Sequence, residues 1–357
     1  MIRTREGIVT GILSEREGVQ EIRVKTEGGD SKALVYVDMT GCVREGDRVL
    51  LNTTAQHLGL GTGGYHFVIA NLDSTSGDLS GPGHIMKLRY TPLQVKCFAA
   101  EEQQSRYHHL ITGFKGLRGR PVVSIPLHSM LAPFCAVVKK SWPTVKIGYI
   151  MTDGAALPIA FSRTVDRLKK KGLLDVTITS GNAFGGDMET VNFYTGIIAA
   201  TLAAKCDLVV VGMGPGIAGT STAYGFSGVE QGYIIDGINT LGGLPVAVVR
   251  ISFADGRTRH RGISHHSLTV LKEIAKTRAY VPLPRLEGPK MDYIQRQVSD
   301  NGIGKKHTIV FNSGEKVFQA MEDFGLRTTT MGRGPEEDRD FFLSVGAAAK
   351  ALEELIL

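Results

Sequence analysis

The chain of 357 residues has few cysteines, one tryptophan and no long apolar run. Its four cysteines form no CxxC pair and no spacing typical of a metal site, which excludes a disulfide framework and a zinc ribbon. The most apolar stretch, residues 196–219, is interrupted by Lys205 and Asp207, and a membrane helix needs about 18 or more uninterrupted apolar residues. The opening MIRTREG has no apolar core, so we expect no signal peptide. Together these absences predict a cytoplasmic protein without membrane segments.

The chain also lacks a strong excess of charge of one sign. Its 41 Lys and Arg against 35 Asp and Glu leave a net charge of only +6. Basic pairs such as Lys139-Lys140 and Lys305-Lys306 are scattered, whereas nucleic-acid binders concentrate basic residues on one element, with aromatics between them. This distribution disfavours nucleic acid as a partner.

Residues 1–80 show a hydrophobic period of two, which predicts a small antiparallel β domain of barrel or sandwich type. Consecutive glycines in Glu27 to Ser31 (EGGDS) predict a hairpin turn, because glycine adopts positive φ at little cost. We interpret this domain as an accessory or oligomerisation module, so a homo-oligomer is an expected assembly. The predicted strands are GIVTGILSE, QEIRVKT, KALVYVDM, DRVLLNTT and YHFVIANL.

A segment rich in Ser, Gly and Pro follows, from Asp73 to His84 (DSTSGDLSGPGH), and its composition is typical of a linker or surface loop. We assign residues 81–120 as linker and connecting segment, and residues 121–357 as an α/β domain that carries the site.

In residues 121–357, short β-branched apolar runs alternate with helical stretches, a pattern typical of βαβ units around a parallel sheet. We predict a doubly wound, mostly parallel sheet, because the last units are short and unequal. A (β/α)8 barrel is the alternative. The predicted strands are PVVSIP, VKIGYIM, DVTITS, DLVVVG, PVAVVRIS, AYVPLP, HTIVF and RTTTM.

A long glycine-rich loop follows DLVVVG, at the strand end where α/β proteins bind ligands. Without a Cβ atom, glycine lets backbone N–H groups approach a phosphate or carboxylate closely. The loop matches neither the dinucleotide-binding nor the P-loop motif. Its length favours function over a plain connection. The candidate ligand-binding residues here are Gly212, Gly214, Gly216, Gly219 and Thr220.

The loop ends in Ser227-Gly-Val-Glu230, which predicts a capping box for the next helix. In a capping box, the serine and the glutamate each bond a free backbone N–H group of the first turn. We therefore assign a structural role to both residues.

Residues 255–267, DGRTRHRGISHHS, concentrate positive charge at another strand end. In an extended chain Arg257, Arg259 and Arg261 would project together, and the guanidinium fork binds carboxylate or phosphate in pairs. Ser264 is the expected N-cap of the following helix, which places His265 and His266 in the first turn. The helix dipole and the arginines disfavour protonation there, so His260, His265 and His266 are candidate acid–base groups.

The same stretch also offers metal ligands. Adjacent residues of a helix point about 100° apart, so His265 and His266 are not expected to bind one ion together. A site of Asp255, His260 and one of these two, with His265 as the candidate, stays open beside a purely structural role.

Further polar residues follow other predicted strands. Asp153, before Gly154, is a candidate general base, and His128 lies at the end of PVVSIP. Asn182 is a candidate ligand contact, and Asp187 is either a helix N-cap or a second contact. Since parallel strands end at one edge, we expect these residues to converge.

Six segments together resemble an uncharacterised bacterial protein family, a full-length domain of unknown function. The resemblance spans nearly the whole chain, and it implies a cytoplasmic bacterial protein whose two regions form one unit. It implies no activity, catalytic residue or cofactor. The segments are LNTTAQHLGLGTGGYHFV, GHIMKLRYTPLQ, TDGAALP, GMGPGIAGTSTAYGFSG, FADGRTRHRGISHH and TTMGR.

The residues favour an enzyme that acts on a phosphorylated or carboxylated small molecule, with a hydrolase or transferase as the expected class. The glycines and arginines would hold the anion, and Asp153 with one histidine would move protons. The alternative is a non-catalytic regulatory protein that binds a nucleotide or metabolite. Convergence of Asp and His in one pocket would favour catalysis, and arginines alone would favour sensing.

Overall fold

The computed structural model describes residues 1–61, 63–74 and 77–356, and the chain divides into two units, Met1–Cys97 and Phe98–Leu357. The predicted connecting segment, residues 81–120, is therefore shared between both units. Its first part forms a two-stranded hairpin of β6 (Ile85–Lys87) and β7 (Val95–Cys97) in the first unit. Residues 75 and 76 of the predicted linker lie outside the described residues.

The first unit contains the predicted small β domain, as a closed barrel with the strand order β1-β2-β3-β5-β4. All five predicted strands form, and the EGGDS hairpin joins β2 to β3, with Gly29 at a φ of 101°. One pair differs from the antiparallel expectation: β3 and β5 are parallel, because β5 inserts between β3 and β4. The bounds are β1 (Thr4–Arg16), β2 (Val19–Thr26), β3 (Gly29–Tyr36), α1 (Val37–Thr40), β4 (Arg48–Asn52), α2 (Thr54–His57) and β5 (Tyr65–Asn71).

The second unit is built on an open sheet of eight parallel strands, in the order β11-β10-β9-β12-β8-β13-β16-β17. Every residue of β8, β9 and β12 is buried, which is why their sequences are apolar without alternation. The sheet confirms the doubly wound prediction over the barrel alternative. The strands are β8 (Pro121–Ser124), β9 (Ile147–Thr152), β10 (Val176–Ser180), β11 (Met188–Thr190), β12 (Leu208–Met213), β13 (Leu244–Ala247), β16 (Tyr280–Pro284) and β17 (Thr308–Asn312).

Helices flank this sheet, and a small hairpin of β14 (Ile251–Ser252) and β15 (Gly262–Ile263) accompanies it. Of the helices in the described residues, none is long and apolar enough to cross a membrane. The helices are α3 (His108–Thr112), α4 (Leu131–Ser141), α5 (Arg163–Lys170), α6 (Phe193–Ile198), α7 (Glu230–Thr240), α8 (His265–Thr269), α9 (Pro289–Asp300), α10 (Ile303–Lys306), α11 (Lys316–Asp323) and α12 (Arg339–Ile356).

The strand order places one loop at the middle of the sheet. From β8 the chain builds β9, β10 and β11 on one side, returns to insert β12 between β9 and β8, and then builds β13, β16 and β17 on the other side. Ligands of open α/β sheets bind where the direction of building reverses. The glycine-rich loop is defined here as residues 212–226. It includes the last two residues of β12 and leaves the sheet at this point.

One local prediction is wrong, and one of the two roles expected of Asp187 is excluded. The segment RTTTM forms no strand; it runs as a loop with one isolated bridge between Thr330 and Arg333. Asp187 is not a helix N-cap, because β11 follows it and Asn192 caps α6 by accepting a hydrogen bond from the Thr195 N–H group (3.1 Å). Asp187 instead accepts hydrogen bonds from the backbone and hydroxyl of Thr177.

Candidate functional site

The glycine-rich loop uses its glycines for different purposes. A Cβ atom on Gly212 would lie 2.6 Å from Ile125, so this glycine serves packing within the sheet. Gly214 and Gly216 line a cleft, and Gly216 needs glycine because its φ is 107°. The Thr220 hydroxyl donates a hydrogen bond within the loop, to the carbonyl of Gly225 (2.9 Å), and Thr220 does not line the cleft. Only part of the predicted ligand-binding set therefore lines the cleft.

The cleft has a volume of about 460 Å³, which is within the range of small-molecule sites. Among the described residues that line it, none is Asp or Glu, and three are arginines: Arg163, Arg167 and Arg327. Arg163 and Arg167 share one face of α5 because they are four residues apart. Five residues with hydroxyl groups also line the cleft: Ser129, Thr164, Thr328, Thr329 and Thr330. The cleft is therefore positively charged and rich in hydrogen-bond donors.

His128 also lines the cleft and is held at both ring nitrogens. Its Nδ1 lies 3.1 Å from the hydroxyl of Tyr149, which itself donates to the carbonyl of Met213 (2.8 Å). The tyrosine oxygen can therefore only accept from His128, so Nδ1 carries the proton and Nε2 accepts from the hydroxyl of Ser162 (2.6 Å). Burial lowers the pKa of His128 to about 4. The imidazole is thus neutral, in one defined tautomer.

Glu230 does not form the predicted capping box. The hydroxyl of Ser227 accepts from the Ala218 N–H group (3.1 Å), and Glu230 Oε1 accepts from the hydroxyl of Thr152 (2.7 Å) at the end of β9. The side chain is drawn away from its own helix end to the sheet edge. Burial raises the pKa of Glu230 to about 7, and the nearby charge of Asp153 adds to the shift. A carboxyl group with this pKa can exchange protons near neutral pH.

Replacing Glu230 with glutamine should stabilise the protein at pH 8 more than at pH 5. The pKa of Glu230 rises from 4.5 to about 7 on folding, so the folded state binds the proton more tightly and loses stability as the pH rises through this window. Glutamine cannot ionise, and its advantage at pH 8 should reach about 2 kcal/mol. Thermal unfolding at both pH values measures this, with exposed Glu287→Gln as the control. If the stability of Glu230→Gln changed between pH 5 and pH 8 in the same way as that of the wild type, the raised pKa of Glu230 would be contradicted.

Asp153 and Asn182 are brought together as expected, at the ends of β9 and β10. Asp153 is exposed, and its Oδ2 accepts from the backbone N–H group of Asn182 (2.9 Å). Neither residue is among those that line the cleft. Their contact holds two neighbouring strand ends together, and it places a negative charge beside Glu230.

Asp255, a predicted metal ligand, forms ion pairs with arginines instead. Its carboxylate pairs with Arg250 (2.7 Å) and Arg257 (2.9 Å), and Arg333 lies 3.6 Å away. Hydrogen bonds from Arg257 are the main reason that the pKa of Asp255 lies far below its usual range. A 3-10 turn over Thr258–His260 also breaks the extended conformation that would have placed Arg257, Arg259 and Arg261 on one side. The predicted arginine cluster therefore does not form as one face.

Three histidines converge beside these arginines. One ring nitrogen from each of His260, His265 and His266 lies within 4.8 Å of the others. Ser264 caps α8 as predicted, accepting from the His266 N–H group (3.3 Å), and its hydroxyl also contacts Nδ1 of His260 (2.8 Å). The expectation that His265 and His266 point apart is wrong, since their ring centroids are 4.2 Å apart. Phe226 explains this, because it stacks on His266 (3.9 Å) and meets His265 edge-on (6.2 Å).

All three imidazoles are held neutral. Burial is the first cause in each case, and it lowers the pKa of His260 to about 4 and that of His266 to about 3. The pKa of His265 is also lowered, by burial and then by the charge of Arg259. The predicted neutral state of the histidines thus follows mainly from burial; nearby arginines are the second cause for His260 and His265, and the other two histidines are the second cause for His266.

The glycine-rich loop joins the cleft to the histidines. Its first part, Gly214 to Ile217, lines the cleft, and Gly219 faces His266, whose Cε1 would lie 3.6 Å from a Cβ atom there. The segment after α11 makes a second connection, because Thr328 to Met331 line the cleft and Arg333 reaches Asp255.

The family model described as Protein of unknown function (DUF3866) matches residues 32–349. The chain belongs to this family. The match covers nearly the full chain and confirms the resemblance that the six sequence segments indicated. Among curated proteins, no sequence matches the chain.

In this DUF3866 member, sequence reasoning missed five residues of interest: Arg163, Arg167, Arg327, Ser162 and Glu230. The spacing of four between Arg163 and Arg167 after a serine was a usable signal for two arginines on one helix face. Arg327 was hidden in a segment predicted as a strand. No local pattern could show that Glu230 leaves its helix end for Thr152.

Proposed function

We propose that this protein is an enzyme that acts on a phosphorylated or carboxylated small molecule bound in the cleft. The observation that carries the proposal is the lining, which has three arginines and no carboxylate among the described residues. Guanidinium groups bind carboxylate and phosphate in pairs, and threonine hydroxyls add donors to the same anion. The expected class is a hydrolase or transferase of phosphorylated small molecules.

His128 is the proposed acid–base group. It is the histidine that lines the cleft, and its neutral imidazole has a lone pair on Nε2, which now accepts from the Ser162 hydroxyl. Ser162, hydrogen-bonded to Nε2, is buried, so its present role is to orient His128 and cap α5. Glu230 can also titrate near neutral pH, but it is not among the described residues that line the cleft.

A non-catalytic regulatory protein is the second candidate. It is favoured by the absence of Asp153 and of the three converging histidines from the residues that line the cleft. In that case the arginines would bind a nucleotide or metabolite without turnover. Both candidates place the anion in the same cleft.

We also propose the cytoplasm as the location, in line with four cysteines that form no disulfide bond.

Replacing Arg327 with lysine should weaken anion binding about ten-fold. Lysine keeps the charge but loses the planar fork, so a two-point contact becomes a single one. Calorimetry and thermal stabilisation by phosphate, pyrophosphate and nucleotides measure this on metal-free protein. Arg259→Lys is the matched control, since Arg259 is exposed and outside the cleft. If Arg259→Lys loses affinity and Arg327→Lys keeps it, the anion binds beside the histidines and the cleft proposal is wrong.

Once a ligand is found, His128 separates the two candidates. If His128 is the acid–base group, His128→Gln should lower turnover by about 100-fold or more while ligand affinity changes little. Binding without turnover in the wild type would favour the regulatory protein. Full turnover in His128→Gln would exclude His128 from the chemistry.

A further inference from the structure

His260, His265 and His266 form a compact group of nitrogen ligands outside the cleft. We infer that these three histidines bind one divalent transition-metal ion of the Zn²⁺ class. The inference is independent of the proposed function, since it needs neither the cleft nor an anion there. It also changes the candidate set from the sequence, because His266 takes the place of Asp255.

The geometry is close to that of a three-histidine site. Ring nitrogens within 4.8 Å of one another need only small side-chain rotations to reach the spacing of about 3.3 Å that tetrahedral zinc requires. His260 is oriented by the contact of its Nδ1 with the Ser264 hydroxyl, the kind of outer contact that fixes the ring of a metal-binding histidine. Phe226 stacks on the ring of His266, with 3.9 Å between the ring centroids. The ligands are thus positioned before any metal binds.

A second, independent observation points to a missing partner. Nε2 of His265 is buried and has no hydrogen-bond partner among the described residues. A buried polar atom without a partner costs about 1–3 kcal/mol, and a bound ion is one of the ordinary explanations for such an atom.

The surrounding charges indicate which kind of fourth ligand the metal would bind. Arg250, Arg257 and Arg333 lie near the carboxylates of Asp255 and Asp338, and the charge of Arg259 also acts on His265, which leaves two net positive charges beside the histidines. Three neutral imidazoles leave the charge of a divalent ion uncompensated. The fourth position should therefore bind an anion, namely hydroxide, carboxylate or phosphate.

The test is metal binding to the full-length protein after treatment with a chelator. Co²⁺ is added as a spectroscopic probe and Zn²⁺ as a competitor. We expect one equivalent of Co²⁺ to give the visible absorption of a four- or five-coordinate ion, which Zn²⁺ then displaces. His265→Ala and His266→Ala should each weaken binding at least 100-fold, while His109→Ala, a change at an exposed histidine of α3, should not.

The metal-free thermal unfolding of each variant shows whether it folds. For a variant that does not fold, X-ray absorption on the zinc-loaded wild type decides, with three imidazole nitrogens expected around the metal. Absence of stoichiometric binding, unchanged affinity in both histidine variants, or fewer than three imidazoles would each overturn the inference. Since all measurements use the metal alone, they do not depend on whether an anion binds in the cleft.

Discussion

Replacing Asp255 with asparagine should lower the free energy of unfolding by about 3–5 kcal/mol. Asp255 is 8% exposed and pairs with Arg250, which is 5% exposed, and with Arg257. Asparagine keeps one oxygen acceptor but removes the charge, so a buried guanidinium group is left without its counter-charge. The cost is that of an uncompensated buried charge, which is larger than the net contribution of the pair itself.

Urea unfolding of the wild type and the variant measures this difference. The matched control is Asp73→Asn, because Asp73 pairs with Arg48 at 2.9 Å on the surface, with the two side chains 37% and 58% exposed. We expect that change to cost less than about 1 kcal/mol. Equal effects of the two substitutions would show that water or another carboxylate reaches Arg250 once Asp255 is changed.

Gly346→Ala should destabilise the protein by about 3 kcal/mol or more, despite the higher helix propensity of alanine. Gly346 lies in α12 against the backbone before α11, and a Cβ atom there would be 2.2 Å from the carbonyl oxygen of Gly314. Neither side can yield easily, because a Cβ on Gly314 would in turn lie 2.1 Å from the carbonyl oxygen of Leu343. The helix must therefore move away from its neighbour.

The control is Gly304→Ala, the same change in helix α10. There the added Cβ would meet only Ile309, at 4.0 Å, so the gain in helix propensity should appear as a small stabilisation of up to about 1 kcal/mol. Thermal or urea unfolding compares the two variants. A tolerated Gly346→Ala would mean that α12 does not pack against Gly314 as closely as described.

Local patterns were sufficient where the physical cause is local. The hairpin at Gly29 depends on a positive φ, and the cap of α8 depends on the Ser264 hydroxyl, which accepts from the His266 N–H group. Both were predicted because the residues that cause them are neighbours in sequence. The same holds for the strands of the barrel, whose period of two reports burial on one face.

Local patterns failed where a distant residue offers a better partner. Ser227 and Glu230 have the spacing of a capping box. Ser227 instead accepts a hydrogen bond from the Ala218 N–H group, and Glu230 accepts one from the Thr152 hydroxyl. In each case a polar group satisfied its hydrogen bonds with a partner that only the fold brings near.

The sequence by itself determined the two regions, the small barrel, the parallel doubly wound sheet and the edge at which polar residues gather. These follow from hydrophobic period, turn residues and strand composition, which act over a few residues at a time. Only the tertiary structure decided which of those residues meet. Arg163 and Arg327 line one cleft though 164 positions separate them, and His265 and His266 turn toward His260 because Phe226, from the loop after β12, packs against both rings. Packing between distant segments sets these contacts, and no local pattern encodes them.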